Sequence, residues 1–228
     1  MKKENTYFYE MKPVLLNVLS FVLLFIMLLI TYLIIFIFNL KFSFTNIDYI
    51  VILVLFIPYF IFHEILHSIG YVVNGAKFKN ITYGMHLEKG ILCCSCKEVI
   101  NKKNIMWSLM YPFLFIGVLT YIIGIIFNIP TLILLSITNI SGCTGDLIMF
   151  IDFYKFKDIK FFEYDNPLAF GIITNEDINN KKMYGLKRIE ENNFEQTIDK
   201  KITISKTSII FLVIYFILFL INLLGLFI

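Results

Sequence analysis

Five blocks of almost unbroken apolar sequence, Val14–Leu40, Tyr49–Val73, Ile105–Ile129, Pro130–Tyr154 and Ser208–Ile228, dominate what this chain can fold into. Each is near or above the ~20 residues that carry a helix across a bilayer core. Lipid offers the backbone no hydrogen-bond partners, so runs of this length predict helices that satisfy their own amides. Composition agrees: 58% of the 228 residues are hydrophobic and 16% charged, and the apolar residues come in blocks, not at amphipathic spacing. The expected fold class is an all-α polytopic membrane protein, with about five transmembrane helices and a small hairpin-bearing loop. No repeat of roughly 20 to 50 residues and no Gly/Ser-rich linker divides the chain, which predicts a single membrane domain over 1–228.

The first block is longer than the ~7–15 residue core of a signal peptide and no small-x-small site follows it. It is expected to be retained, with Lys2, Lys3 and Lys12 as flanking anchors. Of the 20 Lys and Arg, three precede the first block, six lie between Lys77 and Lys103, ten lie between Lys155 and Lys206, and Lys41 stands alone. Basic loops stay cytoplasmic, so the expected location is the cell membrane, multi-pass, with the N-terminus cytoplasmic and the C-terminus external. Two cytoplasmic segments follow from this. The 74–103 loop, with β-branched and aromatic residues around Gly84 and Gly90, predicts short strands. The 155–206 segment predicts a polar loop, most solvated from Asn175 to Lys201. Basic residues alternate with acids, which argues against a nucleic-acid partner and for the lipid bilayer as the surroundings. In a reducing compartment Cys93, Cys94 and Cys96 remain thiols. Their spacing lacks paired C-x-x-C halves, so packing is expected over a second zinc site with His86.

Inside the second block stands His63-Glu64-Ile65-Leu66-His67, an H-E-x-x-H motif. Ionisable groups at membrane depth are costly and usually have a partner and a task. Residues four apart share a helix face, so His63 and His67 can address one metal ion, while Glu64 lies beside that face, where a general base belongs. Catalytic zinc takes three protein ligands and keeps one position open. His86 is the remaining histidine, and an acid is the better third ligand. At ~1.5 Å per residue, His63 and His67 lie roughly 21 to 27 Å along an inward-running second helix, and Asp146 roughly 24 Å along an inward-running fourth. Asp146 is therefore the expected ligand, with Asp152 and Asp165 as alternatives. Gly142 and Gly145 predict close helix approach there. Asn139, seven residues before Asp146, shares its face. Pro58 removes a backbone hydrogen bond one turn and more before His63 and predicts a kink.

These residues resemble a group of bacterial zincin membrane peptidases catalogued as a domain of unknown function, with a more distant likeness to site-2 proteases. The resemblance runs from about Phe62 to Thr174. It rests on His63–His67, the stretch Ile81–Ile100, Tyr111–Gly117 with its proline, Gly142–Phe150 and Tyr164–Ile173. Val99 stands where the group usually has proline, and Asn166 where an Asp-His-Pro-like turn is usual. The resemblance implies a zinc-dependent peptidase. The expected function is hydrolysis of peptide bonds in membrane or membrane-adjacent substrates near the cytoplasmic face, with Zn2+ on His63, His67 and Asp146 and Glu64 as base. Strands between Tyr83 and Val99 are placed to pair with an extended substrate. The rival is a noncatalytic metal-binding scaffold or partner subunit, in which a fourth side chain such as Cys143 or His86 closes the site. A transporter is less favoured, because no repeated halves are visible.

Overall fold

A computed structural model describes residues 5–86, 91–163, 169–178 and 181–189. The chain opens with strand β1 (Asn5–Met11) and continues into two long helices, α1 (Pro13–Phe38) and α2 (Asn46–Val73). Pro13 occupies the first turn of α1, where its missing N–H costs nothing. Thr45 caps α2 in a reciprocal box with Asp48: each side chain bonds the other's backbone N–H. A hairpin of β2 (Ile81–His86) and β3 (Ile91–Cys96) follows, then β4 (Ile100–Asn101). Helix α3 (Lys102–Pro112) passes through a π-helical stretch, Phe113–Leu119, into α4 (Thr120–Ile126). After the turn at Asn128 come α5 (Pro130–Gly142), α6 (Thr144–Tyr154), and strands β5 (Lys160–Glu163), β6 (Ala169–Thr174) and β7 (Leu186–Ile189).

An all-α class is therefore incorrect. Five strands form one antiparallel sheet in the order β4-β5-β6-β1-β7, and β2-β3 form a second. The strands arise where aromatic and β-branched residues alternate within segments whose charge suggests loop: Thr6, Tyr7, Phe8 and Tyr9 in β1, and Phe170, Ile172 and Ile173 in β6. β1 pairs with β6 through Tyr9 opposite Phe170, and with β7 through Tyr9 opposite Arg188. Tyr9 points into the main core with Phe153, Phe161, Phe170 and Ile172. Phe8, on the opposite face, packs with Ala169, Phe162 and Ile189. Burial pushes the Tyr9 phenol up to about 12, against the opposing pull of Arg188.

The count of five helical spans is corrected as well. Among the described residues three helices are long and apolar enough to cross a membrane, Pro13–Phe38, Asn46–Val73 and Lys102–Ile126, or four if the bent pair Pro130–Gly142 and Thr144–Tyr154 is one span. The fourth block is not one straight helix, because α5 and α6 meet at a 45° bend at Cys143. The Ser208–Ile228 block lies outside the described residues. α2 runs as one helix through Pro58, with no break there. Helix α1 leaves Phe25, Leu29, Tyr32 and Phe36 exposed, as a lipid-facing helix does. The large apolar core joins the sheet to α3 and α6 through Ile105, Leu109, Met149 and Phe153, and takes in Tyr71, one turn beyond His67 on α2.

Candidate metal centre

His63 and His67 lie on one face of α2, one turn apart and both buried. Their Nε2 atoms are 3.1 Å from each other. Asp146, in the first turn of α6, brings Oδ2 to 3.5 Å from His63 Nε2 and Oδ1 to 3.6 Å from His67 Nε2. Among the described residues this is the group of His, Cys, Asp or Glu side chains able to share an ion, with ligand atoms within 4.8 Å of one another. Tetrahedral zinc with Zn–N near ~2.0–2.1 Å separates its ligands by roughly 3.3 to 3.4 Å. The separation of the two Nε2 atoms and the distance from each to its nearer Asp146 oxygen straddle that value, the two rings approaching different oxygens of the carboxylate.

The supporting hydrogen bonds fix the tautomers. His67 Nδ1 is 2.9 Å from the carbonyl of Ser108, which can only accept. His63 Nδ1 is 2.9 Å from Oδ1 of Asn139. The orientation of that amide is set because Asn139 Nδ2 donates to the Pro112 carbonyl at 3.2 Å. Both Nδ1 atoms therefore carry the proton, and both Nε2 lone pairs point toward each other and toward a carboxylate. Three converging acceptors repel unless a cation lies among them, so the donor set fits a metal ion.

The elements that hold these supports were not all legible. Gly70, three residues beyond His67, is where α2 touches α3: a Cβ there would sit 2.5 Å from Ser108 Cα. This close approach lets the Ser108 carbonyl reach His67 Nδ1, and Ser108 Oγ donates in return to the His67 carbonyl at 2.8 Å. The close approach expected at Gly142 and Gly145 is corrected: the nearest atom to a Cβ on Gly142 is Phe60 Cε1 at 3.9 Å, and nothing lies within 4 Å of one on Gly145. Their role falls to the bend, which turns Asp146 toward α2. Beside the π-helical stretch, Tyr59 Oη donates to the Ile116 carbonyl at 2.5 Å and meets Thr120 Oγ1 at 2.7 Å, tying α2 to this segment one turn before His63.

Glu64 follows His63 on α2, about 100° around the helix, and is partly buried. Cys143 is buried beside the support, with Sγ 3.9 Å from His63 Nδ1 and 3.6 Å from Asn139 Nδ2. Asp152 is elsewhere: it is buried, bonds Lys155 Nζ at 2.5 Å, and accepts from the backbone N–H groups of Tyr184 and Gly185. Cys94 and Cys96 pack in the main core. Asp165 and the side chains of His86 and Cys93 lie outside the described residues.

No curated protein and no solved structure matches the chain. The distant likeness to site-2 proteases receives no support from the comparisons. Residues 56–160, which hold both histidines, Glu64, their two supports and Asp146, match the protein-family model described as "Putative zincin peptidase".

Proposed function

We propose that this chain is a membrane-embedded zinc metallopeptidase that hydrolyses membrane or membrane-adjacent peptides near the cytoplasmic face. The observation that carries the reading is the convergence of two Nε2 lone pairs and one carboxylate, with both Nδ1 protons engaged behind them. His63, His67 and Asp146 would hold the ion, leaving a position open as catalytic zinc requires. Zinc supplies a Lewis acid that activates water and polarises the scissile carbonyl. Glu64 takes the proton from the attacking water and returns it to the departing amine. Asn139 and Ser108 keep the imidazoles in register.

A scaffold site would need a fourth protein ligand, for which the sequence offers Cys143 and His86, and of these the Cys143 side chain is among the described residues. Its sulfur contacts Nδ1 of His63 and the Asn139 amide, the supporting side of the ring, which favours an open site. The orientation rests on the sheet: a hydrogen-bonded sheet lies on one side of a bilayer, and its strands come from before α1, before α3 and after α6. Helices α1 and α2 then form one membrane hairpin, and α3–α4 with the bent α5–α6 pair a second. The lysine-rich connections favour a cytoplasmic sheet.

The test is a set of membrane peptides incubated with parent and Glu64→Gln protein of measured zinc content. The variant is expected to keep its zinc and lose cleavage by roughly 10²- to 10⁴-fold. Undiminished cleavage by Glu64→Gln would overturn the assigned base, and zinc-free purified parent would overturn the site.

A further inference from the structure

On its outer side, away from the metal centre, α3 forms with α6 an open groove of about 810 Å3. Its lining is divided by chemistry along the helix axis. Lys103 stands at one end, and Lys157 joins the lining from the segment after α6, which Lys102 at the start of α3 holds through the Phe156 and Ile159 carbonyls. Trp107, Met110 and Leu114 continue from Lys103 at spacings of four, three and four residues, so they line one helix face, and Phe150 of α6 closes the opposite wall. Lys103 and Lys157 are exposed, and neither has an ion-pair partner among the described residues. Lys102 is committed elsewhere, to the carbonyls of Tyr154 and Phe156. Asp158 also lines the charged end, so two lysines with open ammonium groups face one carboxylate. The first turn of α3 adds no acidic residue.

We propose that this groove binds one anionic phospholipid, with the phosphate between Lys103 and Lys157 and an acyl chain along Trp107, Met110, Leu114 and Phe150. The volume suits it, since ligand sites run from about 300 to 1,000 Å3. The position suits it too: Lys103 begins a helix apolar enough to cross the membrane, and basic pockets between such helices at the interface hold lipid headgroups. A soluble phosphate would use the lysines and leave the apolar wall unused. The inference rests on the membrane reading of α3 and is independent of the peptidase reading.

Trp107 is the single tryptophan of the chain, so its fluorescence reports this groove alone. Full-length protein is placed in phosphatidylcholine nanodiscs carrying a small fraction of either dibrominated phosphatidylglycerol or dibrominated phosphatidylcholine, whose bromines quench a touching indole. The anionic lipid is expected to quench more strongly at equal fraction, with a preference that falls as salt rises. A Lys103→Gln/Lys157→Gln variant should lose the preference by roughly 25-fold, at about fivefold per lysine. A Lys77→Gln/Lys79→Gln variant, with the same charge removed at exposed positions elsewhere, should keep it. Equal quenching by the two lipids, or a preference that the two double variants alter alike, would overturn the proposal. So would loss of the preference on adding glycerol 3-phosphate, which would reassign the lysines to a soluble anion. The salt series uses the parent protein alone and stands even if a variant fails to fold.

Discussion

Asn139 and Ser108 hold the two imidazoles by different means, a side-chain amide in one case and a backbone carbonyl in the other, so mutation separates them. Asn139→Ala removes the acceptor from His63 Nδ1, and losing such a support typically weakens metal binding 10- to 100-fold. Ser108→Ala leaves the carbonyl in place. It forfeits only the hydroxyl bond to the His67 carbonyl, at about 1 kcal/mol of stability, and should hold zinc almost as the parent does. Competition with a chelator of known affinity measures both, and equal losses would contradict the assigned supports. The same contrast explains what the sequence reveals. His63 and His67 announce themselves by spacing, and Asn139 by sharing a face with Asp146. A carbonyl acceptor is carried by every residue, so nothing in the string distinguishes Ser108.

At the scale of elements, the contact of α2 with α3 depends on the absence of a side chain at Gly70. Gly70→Ala would drive its Cβ into a backbone atom of α3, Ser108 Cα, and not into a flexible tip, so relief requires moving the helix. Overpacking of this kind costs typically ~1–3 kcal/mol. Because the displaced helix carries the Ser108 carbonyl, zinc affinity should fall along with the unfolding temperature, whereas Gly145→Ala, with open space around it, should change neither. The strands were harder to foresee than the helices for a related reason. An apolar block of 25 residues has few alternatives, but a strand of two to seven residues gains its partners from distant sequence, and β1 finds β6 only across the whole helical region. The lysines flanking β1 and the Asn- and Lys-rich stretch around β7 masked a pattern that Tyr7, Phe8 and Tyr9 do carry. Local charge also ties the sheet's surroundings together. Glu176 accepts from the backbone N–H of Lys157 at 2.5 Å and of Asp158 at 3.1 Å, and pairs with Lys181 Nζ at 2.5 Å. Burial pulls its carboxyl upward, but these bonds prevail and hold it below the ordinary value of 4.5. A carboxylate lowered on folding lends stability above its unfolded pKa and loses it as pH falls through the folded one. Acidification below about pH 4.5 should therefore loosen this region, and Glu176→Gln should flatten that part of the profile, as read by amide exchange of residues 157–158.

For the whole molecule, the sheet makes the arrangement in the bilayer testable without reference to activity. Its five strands are drawn from three places along the chain, separated by α1 with α2 and then by α3 through α6. Strand pairings such as Tyr9 with Phe170 and Ile100 with Phe161 require those places to lie on one side of a membrane that the helices cross, so each intervening helical group would cross an even number of times. With two crossings in each group, the connection around Ser43 and the turn at Asn128 would be on the other side. Both residues are exposed, as are Asn5 and Lys187 in β1 and β7. Single cysteines at these four positions, compared with the unsubstituted chain in intact cells, give the arrangement directly with a membrane-impermeant maleimide. Ser43→Cys and Asn128→Cys should label from outside, and Asn5→Cys and Lys187→Cys only after the cells are opened. Labelling of Asn5→Cys and Lys187→Cys on opposite sides would be incompatible with the sheet itself, whereas all four inverted together would keep the sheet and reverse the orientation. The two outcomes differ in consequence: the first dismantles the platform beneath Asp146, and the second moves the proposed cleavage to the outer face while leaving His63, His67 and Asp146 where they are.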